Sequence, residues 1–538
     1  MRDIACKVLV LLAFWGISWY DYHMNKTMLP ADEVAQLKNR VAELEALVKY
    51  YEGQFRLAKN RQYGSSSEKS VYDQLSLFNE AEATANANTP EPELVEIQRH
   101  YRKRKRLTAD QLPEDLPVEV IEHDLDPEER QCPECGEALH IMGRETRREL
   151  KIIPAQAVIV EHVRKVYACR DCEKDACGVP IVKAPIDNPV IKGSFASPEA
   201  IAHIMCQKFV MGAPLYRQEQ EWNRHGIMLS RQTMSNWLLK ATEDWLEPIY
   251  DVLHEILCTH KYLHADETSL QVLKEPGKSP QSKSYMWLYR TSRPATTPIV
   301  LYEYQASRRA KHPEDYLKNF SGYLHADGYD GYHSLPDTII IVGCWSHARR
   351  KWDDALKSLE KKDQVGSKAI KGKQFCDRLF ELERKWAGLS SEERHKNRQE
   401  QAKPELDNFL AWMNTINCAP KSALGKAVNY TLSQWKYLNR YLLDGQLEIC
   451  NNRAERSIKP FVISRKNFLF ANTPRGAKAS AIMFSLIETA KENGLNPFAY
   501  LTYIFRNAPN WDIRNNIDAL ELLLPHSVPA SCRAGTIS

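Results

Sequence analysis

The 538-residue sequence lacks a strong charge of either sign, an internal repeat and a clear membrane-spanning run. Its 73 Lys and Arg residues nearly balance its 69 Asp and Glu residues, giving a net charge of +4, so the average charge identifies no class of partner. The apolar N-terminal stretch 6–20 is shorter than the ~18–20 residues of a spanning helix, and no small-residue cleavage site follows it. We expect translation to start at Met24 or Met28 and the protein to be cytoplasmic, with a membrane anchor at residues 6–20 as the alternative.

Two further features are missing: a nucleotide-binding loop and a disulfide framework. The stretch "GSKAIKGKQ" (366–374) looks like a phosphate-binding loop, but Gln374 stands where Ser or Thr would bind Mg²⁺. The 13 cysteines are scattered along a long chain. Four of them form two CxxC pairs, a pattern that indicates a metal site before disulfides in a reducing compartment.

These paired cysteines predict a structural zinc site. "CPECG" (132–136) and "CRDC" (169–172) each place two thiolates three positions apart on a turn, and two such turns complete a tetrahedral site. Redox chemistry is the alternative, but no thioredoxin-like pattern surrounds either pair. The predicted zinc ligands are Cys132, Cys135, Cys169 and Cys172, with Cys177 as a nearby spare thiol.

The N-terminal region contains a heptad pattern. Apolar residues from Val34 to Phe55 recur at alternating steps of three and four, which predicts a short coiled coil and a homo-oligomer. An amphipathic helix packed on its own domain is the alternative. A polar linker (79–96) and a basic run follow; the run is either a solvated segment or a phosphate-binding arm. Its members are Arg102, Lys103, Arg104, Lys105 and Arg106.

Residues 215–241 have the outline of a helix-turn-helix. We expect a helix that breaks at His225–Gly226, then a second helix capped by Ser230, with Arg231 and Gln232 on its first turn. Helical hairpins that do not bind DNA are common, so the outline alone is a weak indication of DNA binding.

Two similar segments follow, "LHADET" (263–268) and "LHADGYDGY" (324–332). They belong to a series of five strand-like runs between residues 261 and 345, which predicts a mixed sheet flanked by helices. Each segment ends an apolar run with an aspartate, Asp266 or Asp327. Taken singly, each aspartate could be an ordinary turn former.

A third acid, Glu455, lies in "CNNRAERSIKP" (450–460), where Asn452 could cap a helix that Pro460 ends. Alone, Glu455 and Lys459 could be an ordinary surface ion pair. Three carboxylates, however, suit two Mg²⁺ ions, with water and phosphate oxygens in the remaining positions. Such a pair of ions promotes attack on a phosphodiester, provided that the acids converge in space.

Several cations near these acids in sequence are candidate phosphate contacts. Each of them could instead belong to a solvated loop. The candidates are His347, Arg350, Lys459, Arg465 and Lys466.

With these segments, the chain resembles the DDE transposases of the insertion-sequence-sixty-six family. The resemblance runs from about residue 28 to 505 and includes both aspartate segments, the cysteine module and "GCWSHARRKW" (343–352). Its most specific blocks are "NNRAERSIKPFVISRKNFLF" (451–470) and "GAKASAIMFSLIETAKENGLNPFAYL" (476–501).

The resemblance implies an RNase H-like catalytic core with a helical insertion, and Asp266, Asp327 and Glu455 as its DDE triad. It also implies cleavage at the terminal inverted repeats of a mobile element and strand transfer into target DNA, with two Mg²⁺ or Mn²⁺ ions as cofactors and two small accessory proteins as partners. A catalytically inactive, zinc-containing DNA-binding regulator is the alternative function.

The expected fold is therefore a multidomain α/β protein. Its parts, in order, are an atypical apolar N-terminus (1–23), a coiled coil (24–60), a linker with the basic arm (61–130), a zinc-binding module (131–185), a helical DNA-binding region (190–260), the first part of the RNase H-like core (261–354), a helical insertion (355–445), the end of the core (446–505) and a tail (506–538).

Overall fold

The structure, a computed structural model, describes residues 31–63, 158–163, 165–168, 181–293 and 295–535. These residues form a mixed α/β protein of two compact units. The helical unit comprises the described residues of ranges 1–67, 325–328 and 341–451, and the sheet unit comprises those of 68–324, 329–340 and 452–538. Within the described ranges, no helix is both long and apolar enough to cross a membrane. The apolar stretch 6–20 lies outside them.

A five-stranded sheet organises the chain between residues 262 and 342. Its strands are β3 (Tyr262–Gln271), β4 (Lys283–Thr291), β5 (Val300–Gln305), β6 (Gly322–His325) and β7 (Ile339–Val342), in the order β5-β4-β3-β6-β7. The five predicted strands are thus confirmed. A separate two-stranded ribbon pairs β1 (Val166–Ala168) with β2 (Ile181–Lys183).

The sheet is mixed. β4 runs antiparallel to both β3 and β5. β6 and β7 run parallel, because Gly322 N donates to Thr338 O and Ala326 N donates to Val342 O, the same offset of 16 positions (338 − 322 and 342 − 326). Both strands begin in the sheet unit, and their carboxyl ends continue into the helical unit.

The edge strand β5 is covered by a helix of the sheet unit. Ser485 Oγ accepts a hydrogen bond from Tyr302 N at 2.7 Å, and Thr489 Oγ1 accepts one from Val300 N at 3.0 Å. Both hydroxyl side chains are fully buried. They satisfy backbone groups that an uncovered edge would leave open to pairing with another chain.

Among the described residues, four helices of the sheet unit, α2 to α5, precede the five-stranded sheet. Gly226 has a left-handed φ of +75° in the turn between α3 and α4, and Ser230 Oγ accepts from Thr233 N at 3.1 Å, so the predicted break and N-cap are confirmed. The helices of this unit are α2 (Pro198–Phe209), α3 (Leu215–Arg224), α4 (Arg231–Ala241), α5 (Glu247–Thr259), α6 (Lys311–Tyr316), α7 (Asp330–His333), α15 (Asn452–Phe468), α16 (Pro474–Glu492), α17 (Pro497–Asn507) and α18 (Ile517–Glu521).

The helical unit is built on a buried aromatic core and one buried ion pair. Trp345 and Trp352 pack around Phe409. Arg398 is fully buried, pairs with Glu383 at 2.7 Å, and also donates to three backbone carbonyls. The helices of this unit are α1 (Ala31–Tyr63), α8 (Trp345–Lys357), α9 (Lys361–Gln364), α10 (Lys368–Lys385), α11 (Ser391–Asn397), α12 (Lys403–Asn414), α13 (Ala423–Ser433) and α14 (Trp435–Leu438).

One local prediction is wrong. The helix containing Glu455 does not end at Pro460, because α15 continues to Phe468 with the proline inside it, and Asn452 is its first residue. A helix-interior proline removes one backbone hydrogen bond. Burial of Ile458 and Phe461 on either side of it stabilises the helix through this position.

Candidate active site

Asp266 lies in the middle of β3, on the face of the sheet that packs against α15. It is half-buried, and its cross-strand neighbour is Leu288, which in turn lies opposite Tyr302 on β5. Directly opposed residues share a face of the sheet. The Tyr302 hydroxyl donates to the backbone carbonyl of Ser457 in α15, which identifies the face to which Asp266 belongs.

Glu455 lies in the first turn of α15 and is also half-buried. This helix packs on β3 and β4. Arg290, a buried residue of β4, donates to Ser457 Oγ and forms a bidentate ion pair with Glu492 of α16 at 3.1 and 2.9 Å. Burial would raise the pKa of Glu492, but its pairing with Arg290 lowers it below the ordinary value. Asp266 and Glu455 therefore lie in one unit, on a sheet and a helix that are joined through the buried Arg290.

Arg465 fixes the far end of α15 to the same strand. Its guanidinium donates to Thr268 Oγ1 at 3.2 Å and to the backbone carbonyl of Ser269. Burial lowers its pKa. In this structure Arg465 thus joins α15 to β3, and its predicted phosphate contact stays a prediction.

Asp327 follows β6 by two residues and belongs to the helical unit. It is half-buried. Within that unit it lies near Tyr430: burial and the neighbouring Cys344 and Asp327 raise the pKa of the Tyr430 hydroxyl. The next residue, Gly328, has little space for a side chain, because a Cβ atom there would lie 3.0 Å from the Tyr430 hydroxyl oxygen.

Glu267 follows Asp266, yet its side chain points to the opposite face of the sheet and is only 2% exposed. Its carboxylate accepts from Arg308 Nε at 2.8 Å and from the Tyr332 hydroxyl at 2.6 Å. The Arg308 guanidinium lies 3.9 Å from the centroid of the Tyr329 ring. Sequence reasoning missed this network; the signal was available, since adjacent acids in a strand cannot share a face.

The other predicted contacts are distributed over both units. Arg231 and Gln232 are exposed on the first turn of α4, where Arg231 pairs loosely with Glu219 at 3.9 Å. Lys459 is half-buried and Lys466 exposed on α15, while His347 is half-buried and Arg350 exposed on α8. The predicted zinc ligands and basic arm lie outside the described residues: Cys132, Cys135, Cys169, Cys172, Arg102, Lys103, Arg104, Lys105 and Arg106.

Comparison with known proteins identifies the family. The family model described as "Transposase IS66 family" matches residues 193–479, which is more than half of the chain and includes both aspartates, the glutamate and their supporting elements. The chain belongs to the IS66 transposase family. Further models match residues 129–173 ("zinc-finger binding domain of transposase IS66"), 485–526 ("IS66 C-terminal element") and 50–121 ("Transposase C of IS166 homeodomain").

Similar relatives come from Sinorhizobium fredii (strain NBRC 101917 / NGR234). The protein named "Uncharacterized protein y4jD" is 30% identical over 518 residues, covering 93% of this chain and 97% of the relative. "Uncharacterized protein y4qI" is 30% identical over 522 residues, covering 91% of each chain. The zinc-finger match supports a structural zinc site in residues 129–173, and the family supports a DNA transposase.

Proposed function

We propose that this protein is a DDE-type transposase that binds the terminal inverted repeats of an insertion sequence and catalyses metal-dependent strand cleavage and strand transfer. The observation that carries the proposal is the placement of Asp266 and Glu455 on β3 and α15, two packed elements of one unit, within a chain of the IS66 family. We further propose that the mixed sheet with α15 and α16 is an RNase H-like core.

In this proposal Asp266, Asp327 and Glu455 together hold two divalent cations, Mg²⁺ or Mn²⁺. The donor set fits these ions, because all three donors are carboxylates, all are partly accessible, and hard cations prefer oxygen ligands. When bound, such ions activate the attacking oxygen and stabilise the leaving oxygen of an in-line phosphoryl displacement.

The protein's own contribution is positioning. Arg290 and Arg465 tie α15 to the sheet at two points along the helix, which holds the Glu455 carboxylate in place relative to Asp266. Side chains fixed by buried hydrogen bonds lose little freedom when substrate binds, and this favours reaction. Lys459 and Lys466 are proposed phosphate contacts on the same helix, and His347 and Arg350 on α8.

DNA recognition is assigned to α4 and to the N-terminal modules. Arg231, Gln232 and Asn236 are exposed on α4, and Gln and Asn side chains read adenine in the major groove. We propose that this helix reads the terminal repeats together with the zinc-binding module and the basic arm, and that the element's small accessory proteins assist.

Self-association is assigned to α1. Its apolar residues at coiled-coil spacing are exposed in the monomer: Val41, Leu44, Val48, Tyr51 and Phe55. An exposed seam of this period matches the interface of a coiled coil. We propose that α1 pairs two copies of the chain.

The test is cleavage of a labelled duplex that carries the gene's own flanking terminal repeats, in the presence of Mg²⁺. Wild type should nick the duplex, while Asp266→Asn should bind it equally well and leave it intact. Equal nicking by both proteins would show that the active site lies elsewhere. DNA binding without nicking by wild type, even with the accessory proteins present, would favour an inactive DNA-binding regulator.

A further inference from the structure

The turn that joins α15 to α16 presents two large apolar side chains to solvent. Leu469 is 66% and Phe470 is 44% exposed. Leu469 also has a φ of +66°, a left-handed conformation that side chains other than Gly, Asn and Asp seldom adopt. Such backbone strain persists where the surrounding structure holds it, and it is concentrated at functional sites.

Several backbone hydrogen bonds hold this turn rigidly. Leu469 N donates to Arg465 O at 2.7 Å, Phe470 N to Phe468 O at 2.8 Å, and Ala471 N to Gln271 O at 2.9 Å, at the end of β3. The turn is thus anchored both to the helix that carries Glu455 and to the strand that carries Asp266. Its two apolar side chains are exposed on a fixed support.

The surroundings of the turn are basic. Residues 456–487 contain six Lys and Arg residues and no Asp or Glu. Two of the six, Arg475 and Lys478, are neutralised by Glu243 and Glu247 of the sheet unit. Lys466 is exposed three residues before Leu469, and exposed Lys274 donates its backbone N–H to Asn472 O at 2.9 Å.

A further cation lies beneath the turn. Lys208 Nζ lies 4.2 Å from the centroid of the Phe468 ring, and burial lowers the pKa of this amine to about 8. Exposed apolar side chains with exposed lysines on neighbouring segments, here Lys274 and Lys466, complement a polyanion with flat apolar faces, which is a nucleic acid with accessible bases. Apolar and aromatic side chains stack on such bases or wedge between base steps.

We propose that Leu469 and Phe470 form a base-contacting wedge that grips the DNA end during cleavage. Glu455 and Phe468 are 13 positions apart on one helix, or about 20 Å at the helical rise. That distance is about six base-pair steps of duplex DNA. The wedge therefore contacts bases at most about six pairs from the phosphate at which Glu455 acts. This inference rests on the proposed transposase function.

The experiment uses the full-length chain and end duplexes with 2-aminopurine at single positions on either side of the cleavage site. This base becomes brighter when it is unstacked. Binding of wild type should increase the fluorescence of 2-aminopurine at one or two positions within about six pairs of the cut and leave it unchanged at positions farther away. Leu469→Asn with Phe470→Ser should abolish that signal and weaken DNA binding about tenfold, the scale of one lost base-stacking contact. Asn is chosen because it tolerates the left-handed backbone.

Two matched variants separate the wedge from folding and from catalysis. Ile517→Asn removes another strongly exposed apolar side chain, on α18, and should keep the signal and the affinity. Asp266→Asn should keep the fluorescence signal while losing cleavage. Equal melting temperatures of the double variant and wild type would show that the turn is not needed for folding.

Three outcomes would overturn the wedge. An unchanged signal in the double variant, with normal nicking by wild type, rejects the wedge and leaves the proposed function intact. Unchanged DNA behaviour with a smaller oligomer for the double variant would show that the turn joins copies of the chain. Failure of wild type to bind or nick any end duplex rejects the proposed function and the wedge together.

Discussion

Asp266 and Glu267 are consecutive acids on one strand with opposite surroundings. Asp266 is partly accessible on the face that packs against α15, whereas Glu267 is buried on the other face beneath Arg308 and Tyr332. The strand alternates its side chains between its two faces, so one position in sequence separates a candidate metal ligand from a structural ion pair. The role of a carboxylate is thus decided by the face it occupies and by its partners there.

The largest expected effect is on the nicking rate, and it comes from substitutions on the face of the sheet that packs against α15. Glu455→Gln should reduce Mg²⁺-dependent nicking of an end duplex by about 10³-fold or more. When several residues act as one catalytic unit, the loss of any one of them removes most of the activity. For the same reason, the double variant with Asp266→Asn should lose little more than either single variant. Nicking rates measured at saturating DNA check this. Independent, multiplicative losses would contradict a shared metal site.

On the opposite face, the effect should be on stability. Glu267→Ala leaves Arg308 without its buried partner, and we expect the free energy of unfolding to fall by about 2–3 kcal/mol. This is less than the loss expected for a fully buried ion pair, because Arg308 is partly exposed. Asp266→Asn should change the free energy of unfolding by less than about 0.5 kcal/mol. Urea unfolding measures both values. Equal stability of the two variants would remove the distinction between the faces.

A second acid on the Glu267 face should make stability depend on pH. Glu303 faces the same way, because both acids lie opposite Trp287, and burial raises its pKa from 4.5 to about 8. The folded state therefore retains a proton that the unfolded state loses, and this group's contribution is full below about pH 4.5 and is lost as the pH rises to about 8. Between these two pH values, ionisation of this group lowers the free energy of unfolding by at most about 1.4 kcal/mol per pH unit.

Glu303→Gln should remove this dependence. The variant should gain stability relative to wild type as the pH increases from 5 to 8, and thermal melting at intervals of one pH unit measures the gain. A constant difference between the two proteins across this range would show that Glu303 ionises with an ordinary pKa.

The smallest effect expected concerns one hydrogen bond. Tyr332→Phe removes the hydroxyl that donates to Glu267 at 2.6 Å, at a cost of about 1.5 kcal/mol, typical of a bond to a charged group. Its nicking rate should match that of wild type, since Tyr332 lies on the face away from α15. A strong loss of nicking with unchanged stability would contradict this prediction, because it would show that Tyr332 takes part in the reaction.

Local patterns predicted much of the fold. The five strands follow from apolar runs between turn residues, and the α3–α4 break follows from Gly226 and Ser230, whose effects extend over only a few residues. The same locality explains the positions of Asp327 just after a strand and of Glu455 in a first helical turn, whereas β3 continues past Asp266 to Gln271. No long-range information was needed for these features.

Features that depend on distant partners were not predicted. Arg398 lies on a segment with a charged face, yet it is fully buried because Glu383 and carbonyls 43 to 49 positions away in sequence surround it. Likewise, α15 passes through Pro460 because tertiary burial outweighs the local preference. The hydrogen bonds of Arg465 to Thr268 and Ser269 were not predicted either, since nothing in sequence places these residues beside it.

The most direct test of the contrast between the two acids replaces the proposed Mg²⁺ with Fe²⁺. In ascorbate and peroxide, an iron ion held by carboxylates generates hydroxyl radicals that cut the polypeptide near its ligands, without need of DNA or activity. Wild type and Glu267→Gln should be cut near residues 266, 327 and 455, and Asp266→Asn should lose these cuts. Cutting that persists in Asp266→Asn, or that disappears in Glu267→Gln, would contradict the assignment of Asp266 to the metal and Glu267 to the fold.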